Sequence, residues 1–334
     1  MDLTKFGILL APNVSISKCV RLAKIGEEYG IDYVWVMDEN PSPPFRDVFV
    51  VMTAIAQETD KIKIGTGVTN PYTRHPAVLA TAFLTLDEIS KGRIAIGIGA
   101  GGSMALAPIG KKMWEKPCAA IKESVETMHH LFAGETLDYS GEVIELRKLN
   151  LFAKPKAKIP IYMAARGPRM LQLVGEVADG AILTSPIPQI SEDLETIRKG
   201  VRTAGRDMKA IDVANALPLS VSKSEKAARR AVKAICAFMV SSFPTEKLES
   251  VGIDKKSQKL VKEALKKGQQ SAARLVTKEL IETLSVAGTA QMCLEKYEKM
   301  INLGVSQIIF CSPFGPDPEK ALEIIGEEII PNLK

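Results

Sequence analysis

The chain has 334 residues, of which 46% are hydrophobic and 25% are charged, and its formal net charge is +5. A disordered chain would contain far fewer apolar residues, so this composition predicts a folded globular protein. No apolar run approaches the roughly 20 residues that span a bilayer, and no basic-then-apolar leader opens the chain. We therefore expect neither a membrane partner nor secretion.

Cysteine and histidine usage argues against a disulfide framework and a metal site. The five cysteines are scattered without a Cys-x-x-Cys pair, and the three histidines form no metal-binding motif. This pattern is typical of a protein of the reducing cytoplasm. A lysine-rich stretch at 254–280 contains no aromatic residue, so it is interpreted as solvated helix faces and not as a nucleic-acid site.

Short apolar runs alternate with helical patterns along the whole chain. Runs that predict strands lie at 5–12, 32–38, 61–67, 93–101, 159–165, 179–185, 212–222 and 306–313. Ser15 and Asp317 stand where helix N-caps are expected. Eight strand–helix alternations predict a parallel sheet closed as a (β/α)8 TIM barrel.

Two segments depart from this alternation. Residues 135–151 alternate around a Ser-Gly turn and predict a hairpin inserted before the fifth strand. Residues 223–290 predict several helices without strands, inserted between the seventh and eighth strands. Because the composition does not break along the chain, residues 1–334 are expected to form a single barrel domain.

The active site of such a barrel lies after the C-terminal ends of the strands. Asp38 and Glu39 follow the second strand and are the candidate proton donors. Gly97, Gly99 and Gly102 formally satisfy GxGxxG. A Rossmann site, however, would open the first βα unit, and this turn follows the fourth strand. The turn is instead interpreted as one that exposes backbone N–H groups to a phosphate.

A second anion site is predicted after the fifth strand. Gly167 and Pro168 lead into a helix there, with Arg166 beside its N-terminus. No GxSxG motif and no Ser-His-Asp set is present, which disfavours hydrolysis. Chemistry carried by a cofactor is the better expectation.

Five segments together identify a resemblance. The segments are "KFGILLAPN", "DYVWVMDEN", "KIKIGTGVTNPYTRHPAVLATAFLTLDEISKGRIAIGIGAG", "IPIYMAARGPRMLQLVGEVADGAIL" and "GVSQIIFCSPFGPD". With them, the chain resembles the F420-dependent methylenetetrahydromethanopterin reductases of the bacterial-luciferase-like superfamily, from about residue 4 to its C-terminus. "GTGVTNP" and "IPIYMAARGP" are specific to that branch of the superfamily.

This resemblance implies a TIM barrel that binds coenzyme F420 at its C-terminal mouth. It implies a cis peptide between Gly67 and Val68, in a bulge that backs one face of the coenzyme ring. The reaction implied is hydride transfer to the methylene carbon of a tetrahydromethanopterin-type one-carbon carrier, giving the methyl form. Homodimers or homotetramers are expected. The implied coenzyme contacts are Asp38, Gly67, Val68, Thr69, Asn70, Gly99, Ala100, Gly101, Gly102, Ala165, Arg166 and Gly167.

At two positions the chain lacks an acidic residue that members of the family carry. Leu9 stands where the relatives carry a glutamate, and Gly102 where they carry an aspartate. Opening the methylene bridge requires a proton on the departing nitrogen, so an acid is needed from elsewhere. Glu39, where relatives commonly have histidine, is the candidate replacement.

Three other hypotheses stay open from the sequence. An F420-dependent enzyme could act on another substrate, such as an alcohol or an aldehyde, with Glu39 as acid or base. A homologue could bind F420 and have altered or lost catalysis. An FMN monooxygenase is disfavoured, because the matching motifs belong to the deazaflavin branch.

Overall fold

A computed structural model of the chain describes residues 4–110 and 116–333. The strands are β1 (Lys5–Leu10), β2 (Tyr33–Val36), β3 (Lys63–Thr66), β4 (Ile94–Ile98), β5 (Leu137–Ser140), β6 (Glu145–Leu149), β7 (Ile161–Ala164), β8 (Gly180–Leu183), β9 (Asp212–Asn215), β10 (Pro218–Val221), β11 (Val286–Gly288) and β12 (Gln307–Phe314).

The helices alternate with these strands. They are α1 (Ile16–Glu28), α2 (Val48–Glu58), α3 (Pro76–Ser90), α4 (Ser103–Leu106), α5 (Pro117–Phe132), α6 (Pro168–Val177), α7 (Ile190–Thr203), α8 (Glu225–Ser242), α9 (Thr245–Glu249), α10 (Lys255–Lys266), α11 (Gln269–Ala273), α12 (Lys278–Leu284), α13 (Ala290–Asn302) and α14 (Pro318–Ile324). Ser15 caps α1 and Asp317 caps α14, both as predicted.

Eight strands close into the predicted barrel. The sheet order is β1-β2-β3-β4-β7-β8-β9-β12, and β12 pairs back with β1. The pairings from β1 through β4 to β7 and β8 are all parallel. All eight strands therefore deliver their C-terminal ends to one edge, where the candidate site residues lie.

The prediction of one strand over 212–222 is wrong. The segment forms two strands, β9 and β10, and β10 pairs in parallel with β11 and with the end of β12. Ala216 and Leu217 separate the two strands but are buried like their neighbours, so hydrophobicity does not mark the break. Pro218 did carry a signal, because proline lacks the N–H that a strand interior uses.

The insertion is also not purely helical. It contains five helices, α8 to α12, but β11 follows them within 223–290 and adds to β10. Three residues are too few to give an alternating pattern, which is why the sequence showed only helices. The predicted hairpin is confirmed as the antiparallel pair of β5 and β6.

The chain divides into two compact units. The first consists of Gly7–Leu183 and Glu195–Ala214, and it contains every candidate site residue. Its interior holds Trp35, whose ring lies edge-on to Tyr162 at 5.0 Å between centroids. A Cβ on Gly65 would lie 2.5 Å from the Trp35 ring, so the glycine makes room for this indole.

The second unit consists of residues 4–6, Thr184–Leu194 and 215–333. Gln258, 3% exposed, joins its helices. The side-chain amide of Gln258 donates to the carbonyls of Val240 and Phe243 at 3.1 and 2.9 Å, and its oxygen accepts from the Thr245 hydroxyl at 2.8 Å. One buried amide thus ties α10 to the end of α8 and the start of α9.

Candidate active site

The peptide between Gly67 and Val68 is cis, as the resemblance implied, and it is the one cis bond not preceding proline in the described residues. It lies directly after β3. Gly67 donates its N–H to the carbonyl of Val36 at 2.7 Å, and Thr69 donates to the carbonyl of Gly97 at 2.9 Å. The bulge is therefore tied to β2 on one side and to β4 on the other.

Glycines around the bulge make room for the valine. A Cβ added to Gly97 would lie 3.0 Å from one methyl of Val68, and a Cβ added to Gly99 would lie 2.9 Å from the other. A Cβ on Gly67 would lie 2.5 Å from a methyl of Leu9. The two valine methyls thus fill the space that the missing side chains leave.

Asp38 lies beside the bulge and is 8% exposed. The Thr69 hydroxyl donates to its carboxylate at 2.7 Å. Burial raises the pKa of Asp38, while the hydrogen bond from Thr69 and the charge of Arg74 oppose that rise. The sequence-predicted residues Asp38 and Thr69 are therefore in direct contact.

Glu39 and Arg166 belong to one electrostatic cluster with Asp38. Burial, followed by the charge of Asp38, raises the pKa of Glu39 to about 7, and the Arg166 guanidinium holds it from rising further. Burial in turn lowers the pKa of Arg166, and Glu39 opposes that change. A carboxyl with a pKa near neutrality can both donate and accept a proton under physiological conditions.

Asn70 holds the loop that follows the bulge. Its side-chain oxygen accepts hydrogen bonds from the backbone N–H groups of Tyr72 and Thr73, each at 3.1 Å. Asn70 is 2% exposed. These bonds form an Asx turn, so the side-chain oxygen has a structural role.

The turn after β4 leaves open backbone at one of its glycines, Gly102. Gly101 has a φ of 72°, a conformation that favours glycine. Gly102 is exposed, and a Cβ added to it would meet nothing within 4 Å. Ala100, half-buried, separates Gly101 from Gly99. Gly102 therefore provides space at this turn, one of the features that an anion-binding turn requires.

The N-terminus of α6, the other predicted anion site, is open. Gly167 is its N-cap and supplies no side-chain hydrogen bond, and Pro168 follows as the first helical residue. Nothing lies within 4 Å of a Cβ added to Gly167. Ala165 is 5% exposed and packs inside the barrel edge. The first N–H groups of the helix lack a side-chain cap, beside the cation of Arg166.

Sequence reasoning missed Arg74. Its guanidinium pairs with Asp47 at 2.5 Å and lies 4.1 Å from the centroid of the Phe49 ring. Asp47 also caps α2 by accepting the N–H groups of Phe49 and Val50. The charge of Arg74 also lowers the pKa of the predicted residue Asp38. In the sequence, the available signal was a cation four residues after Asn70.

The two departures from the family are also visible in the structure. Leu9 is 7% exposed and packs its methyl against Gly67. Gly102 leaves open space where an aspartate was expected.

Among residues 4–110 and 116–333, no group of three or more His, Cys, Asp or Glu side chains is arranged to hold a metal ion. Nor does that part of the chain contain a helix long and apolar enough to cross a membrane.

Comparison with known proteins gives one consistent result. The sequence model of the luciferase-like monooxygenase family matches residues 2–307. A 5,10-methylenetetrahydromethanopterin reductase of Archaeoglobus fulgidus is 38% identical over 99% of this chain and 100% of its own. The corresponding protein of Methanolobus tindarius is 37% identical over 97% of this chain and 99% of its own.

A solved structure agrees with the sequence relatives. The coenzyme F420-dependent tetrahydromethanopterin reductase of Methanopyrus kandleri superposes with a TM-score of 0.93 at 35% identity, covering 99% of this chain and 100% of that one. The chain therefore belongs to the luciferase-like monooxygenase family and, within it, to the 5,10-methylenetetrahydromethanopterin reductases.

Proposed function

We propose that this protein is an F420-dependent oxidoreductase that reduces methylene-tetrahydromethanopterin to methyl-tetrahydromethanopterin. Near full-length identity of 36 to 38% to three reductases of this name supports the substrate. The coenzyme is supported by the F420-dependent reductase whose fold this chain shares. The observation that carries the proposal is the hydrogen bond from Thr69, in the loop after β3, to Asp38, beside Glu39 with its pKa of about 7.

The residues at the barrel mouth fit a flat, anionic coenzyme. The Gly67–Val68 backbone would lie against one face of its ring. Open backbone at Gly102 and the uncapped start of α6 at Gly167 would take its phosphate, with Arg166 supplying positive charge. When bound, the coenzyme supplies the hydride that the reaction needs.

The reaction also needs a proton, and Glu39 is the residue that we assign to it. The hydride adds to the methylene carbon, the bond from that carbon to one carrier nitrogen breaks, and the departing nitrogen takes a proton. Leu9 cannot supply it, and Gly102 has no side chain. A pKa of about 7 leaves a substantial fraction of Glu39 protonated at neutral pH.

A turnover assay separates this function from its alternatives. Protein, reduced F420 and methylene-tetrahydromethanopterin are mixed without oxygen, and the absorbance of oxidised coenzyme is followed. Absorbance that returns only with this carrier supports the proposal. If the coenzyme is turned over only with an alcohol or an aldehyde, the protein is an F420-dependent enzyme of that other substrate class. Tight coenzyme binding without turnover favours a catalytically altered homologue, and tight FMN binding without F420 binding contradicts the coenzyme assignment.

We also propose that the enzyme assembles as a homodimer or homotetramer in the cytoplasm. Val50 on α2 and Val78 on α3 are 57% and 56% exposed, and these two helices are neighbours. Exposed apolar side chains on adjacent helices are typical of an interface. All five cysteines are free thiols, as expected in a reducing compartment. Sedimentation of the wild type and of a Val50→Lys variant tests the assembly.

A further inference from the structure

A cavity of about 730 Å³ lies at the end of the first unit away from the candidate active site. It is formed where α5 and α6 end and where β7 and β8 begin. Lys154, Lys156, Lys158 and Arg206 line it, together with two carboxylates, Asp179 and Glu176. Its volume is in the range of small-molecule sites.

Asp179 is already neutralised within the protein. It accepts hydrogen bonds from His129 at 3.1 Å and from the backbone N–H of Ile161 at 2.9 Å, and it pairs with Lys158. Burial would raise the pKa of Asp179, but these hydrogen bonds lower it to about 2. The negative charge of Asp179 is therefore already balanced by Lys158, and it does not offset the charge of the other cations in the cavity.

The helix ends that face the cavity are satisfied as well. Arg206 donates to the carbonyls of Gly175 and Ala178 at 3.0 and 2.7 Å, so it closes the C-terminus of α6. At the end of α5, the N–H groups of Ala133 and Gly134 bond to carbonyls of the last turn. Carbonyls at the C-terminal ends of both helices are thus hydrogen-bonded within the protein.

The side chain of Lys154 packs against Gly134 in the cavity wall. Gly134 has a φ of 83°, and a Cβ on it would overlap the Lys154 side chain, 2.0 Å from Cε. Lys154 and Arg206 have no carboxylate partner within residues 4–110 and 116–333. The backbone of Lys156 is fixed next to them, because its N–H donates to the buried Asp87 at 3.1 Å.

We propose that this cavity binds a multiply charged anion through phosphate or carboxylate groups. Lys154 and Lys156 bind the charged groups, and the guanidinium of Arg206 adds positive charge while it closes α6. Four cationic side chains line the cavity against the two carboxylates of Asp179 and Glu176. The resulting surplus of positive charge matches such a ligand. The site is separate from the coenzyme-binding edge and does not depend on the proposed reaction.

Calorimetric titration tests this proposal on the full chain. Inorganic pyrophosphate and citrate are the probes, and sodium chloride at equal ionic strength is the blank. The double variant Lys154→Gln/Lys156→Gln is compared with Lys262→Gln/Lys266→Gln, which removes two exposed lysines from α10. We expect saturable binding to the wild type and the α10 control, and at least about a tenfold weaker affinity in the cavity variant.

The two probes distinguish the two kinds of anionic group, phosphate and carboxylate. Binding of pyrophosphate alone assigns phosphate groups, and binding of citrate as well assigns anions of either kind. An Arg166→Gln variant should retain this binding, because Arg166 belongs to the other anion site. No saturable binding to the wild type, or equal loss in the cavity variant and the α10 control, would overturn the proposal. Loss of anion binding in Arg166→Gln but not in the cavity variant would also overturn it.

Discussion

The hydroxyl of Thr69 donates a hydrogen bond to the buried carboxyl of Asp38 at 2.7 Å. Thr69 follows the cis peptide after β3, and Asp38 follows β2. One hydrogen bond therefore joins the bulge that we propose to lie against the coenzyme to Asp38, the neighbour of the proposed acid Glu39.

Replacing Thr69 by valine should destabilise the protein by about 1–3 kcal/mol, because the buried carboxyl of Asp38 then loses one of its donors. Chemical unfolding measures this change, and coenzyme titration should show weaker binding. Thr69→Ser is the matched control, since it keeps the hydroxyl. Equal stability of the valine and serine variants would show that the bond contributes nothing.

Replacing Gly99 by alanine should destabilise the protein by about 1–3 kcal/mol through overpacking. The new Cβ would lie 2.9 Å from Val68 and 3.3 Å from the Cβ of Ala164. Gly102→Ala is the control for stability, because its Cβ would meet nothing within 4 Å. Thermal unfolding of both variants checks the prediction, and similar losses would contradict it.

Replacing Glu39 by glutamine should reduce kcat by about 10²–10⁴-fold, the usual contribution of general acid catalysis. The amide keeps the shape of the side chain but is not acidic enough to transfer a proton. Coenzyme affinity, measured separately, should change little. A rate equal to that of the wild type would exclude Glu39 as the acid.

The rate of methyl formation should depend on pH through Glu39. The acid must be protonated, so kcat should be constant well below pH 7 and should fall as the pH rises through about 7. Arg166→Gln removes a charge that lowers this pKa, so the falling limb should move to higher pH. If kcat falls at the same pH in Arg166→Gln as in the wild type, the group that titrates is not Glu39.

Asp179 should make stability depend on pH at the acid end. Its pKa is about 2 in the folded protein, against an ordinary value of 3.8. Its contribution, about 2 kcal/mol, is therefore complete above roughly pH 4 and is lost as the pH falls toward 2. Asp179→Asn should flatten the unfolding free energy over that interval, and an unchanged slope would contradict the assignment.

Much of the fold could be predicted from sequence, because alternating apolar runs carry the period of strands and helices. Hydrophobicity does not mark the division of 212–222 into β9 and β10, since the buried Ala216 and Leu217 continue the apolar run, and Pro218 is the signal for it. The cis peptide at Gly67–Val68 came from family resemblance, because no periodicity encodes it.

The candidate site was predicted residue by residue but not as an arrangement. Glu39 follows β2 and Arg166 follows β7, strands that are not neighbours in the sheet. Their electrostatic pairing depends on closure of the barrel and leaves no local pattern. The packing of Val68 over Gly97 and Gly99 likewise required the register of β3 and β4.

Transfer of a labelled hydride tests the central claim most directly. Coenzyme F420 reduced with deuterium at the transferring carbon is incubated with the protein and methylene-tetrahydromethanopterin, and the product is analysed by mass spectrometry. We predict a single deuterium in the methyl group of the carrier. A methyl product without deuterium, or no methyl product while the coenzyme binds, would contradict the proposed function.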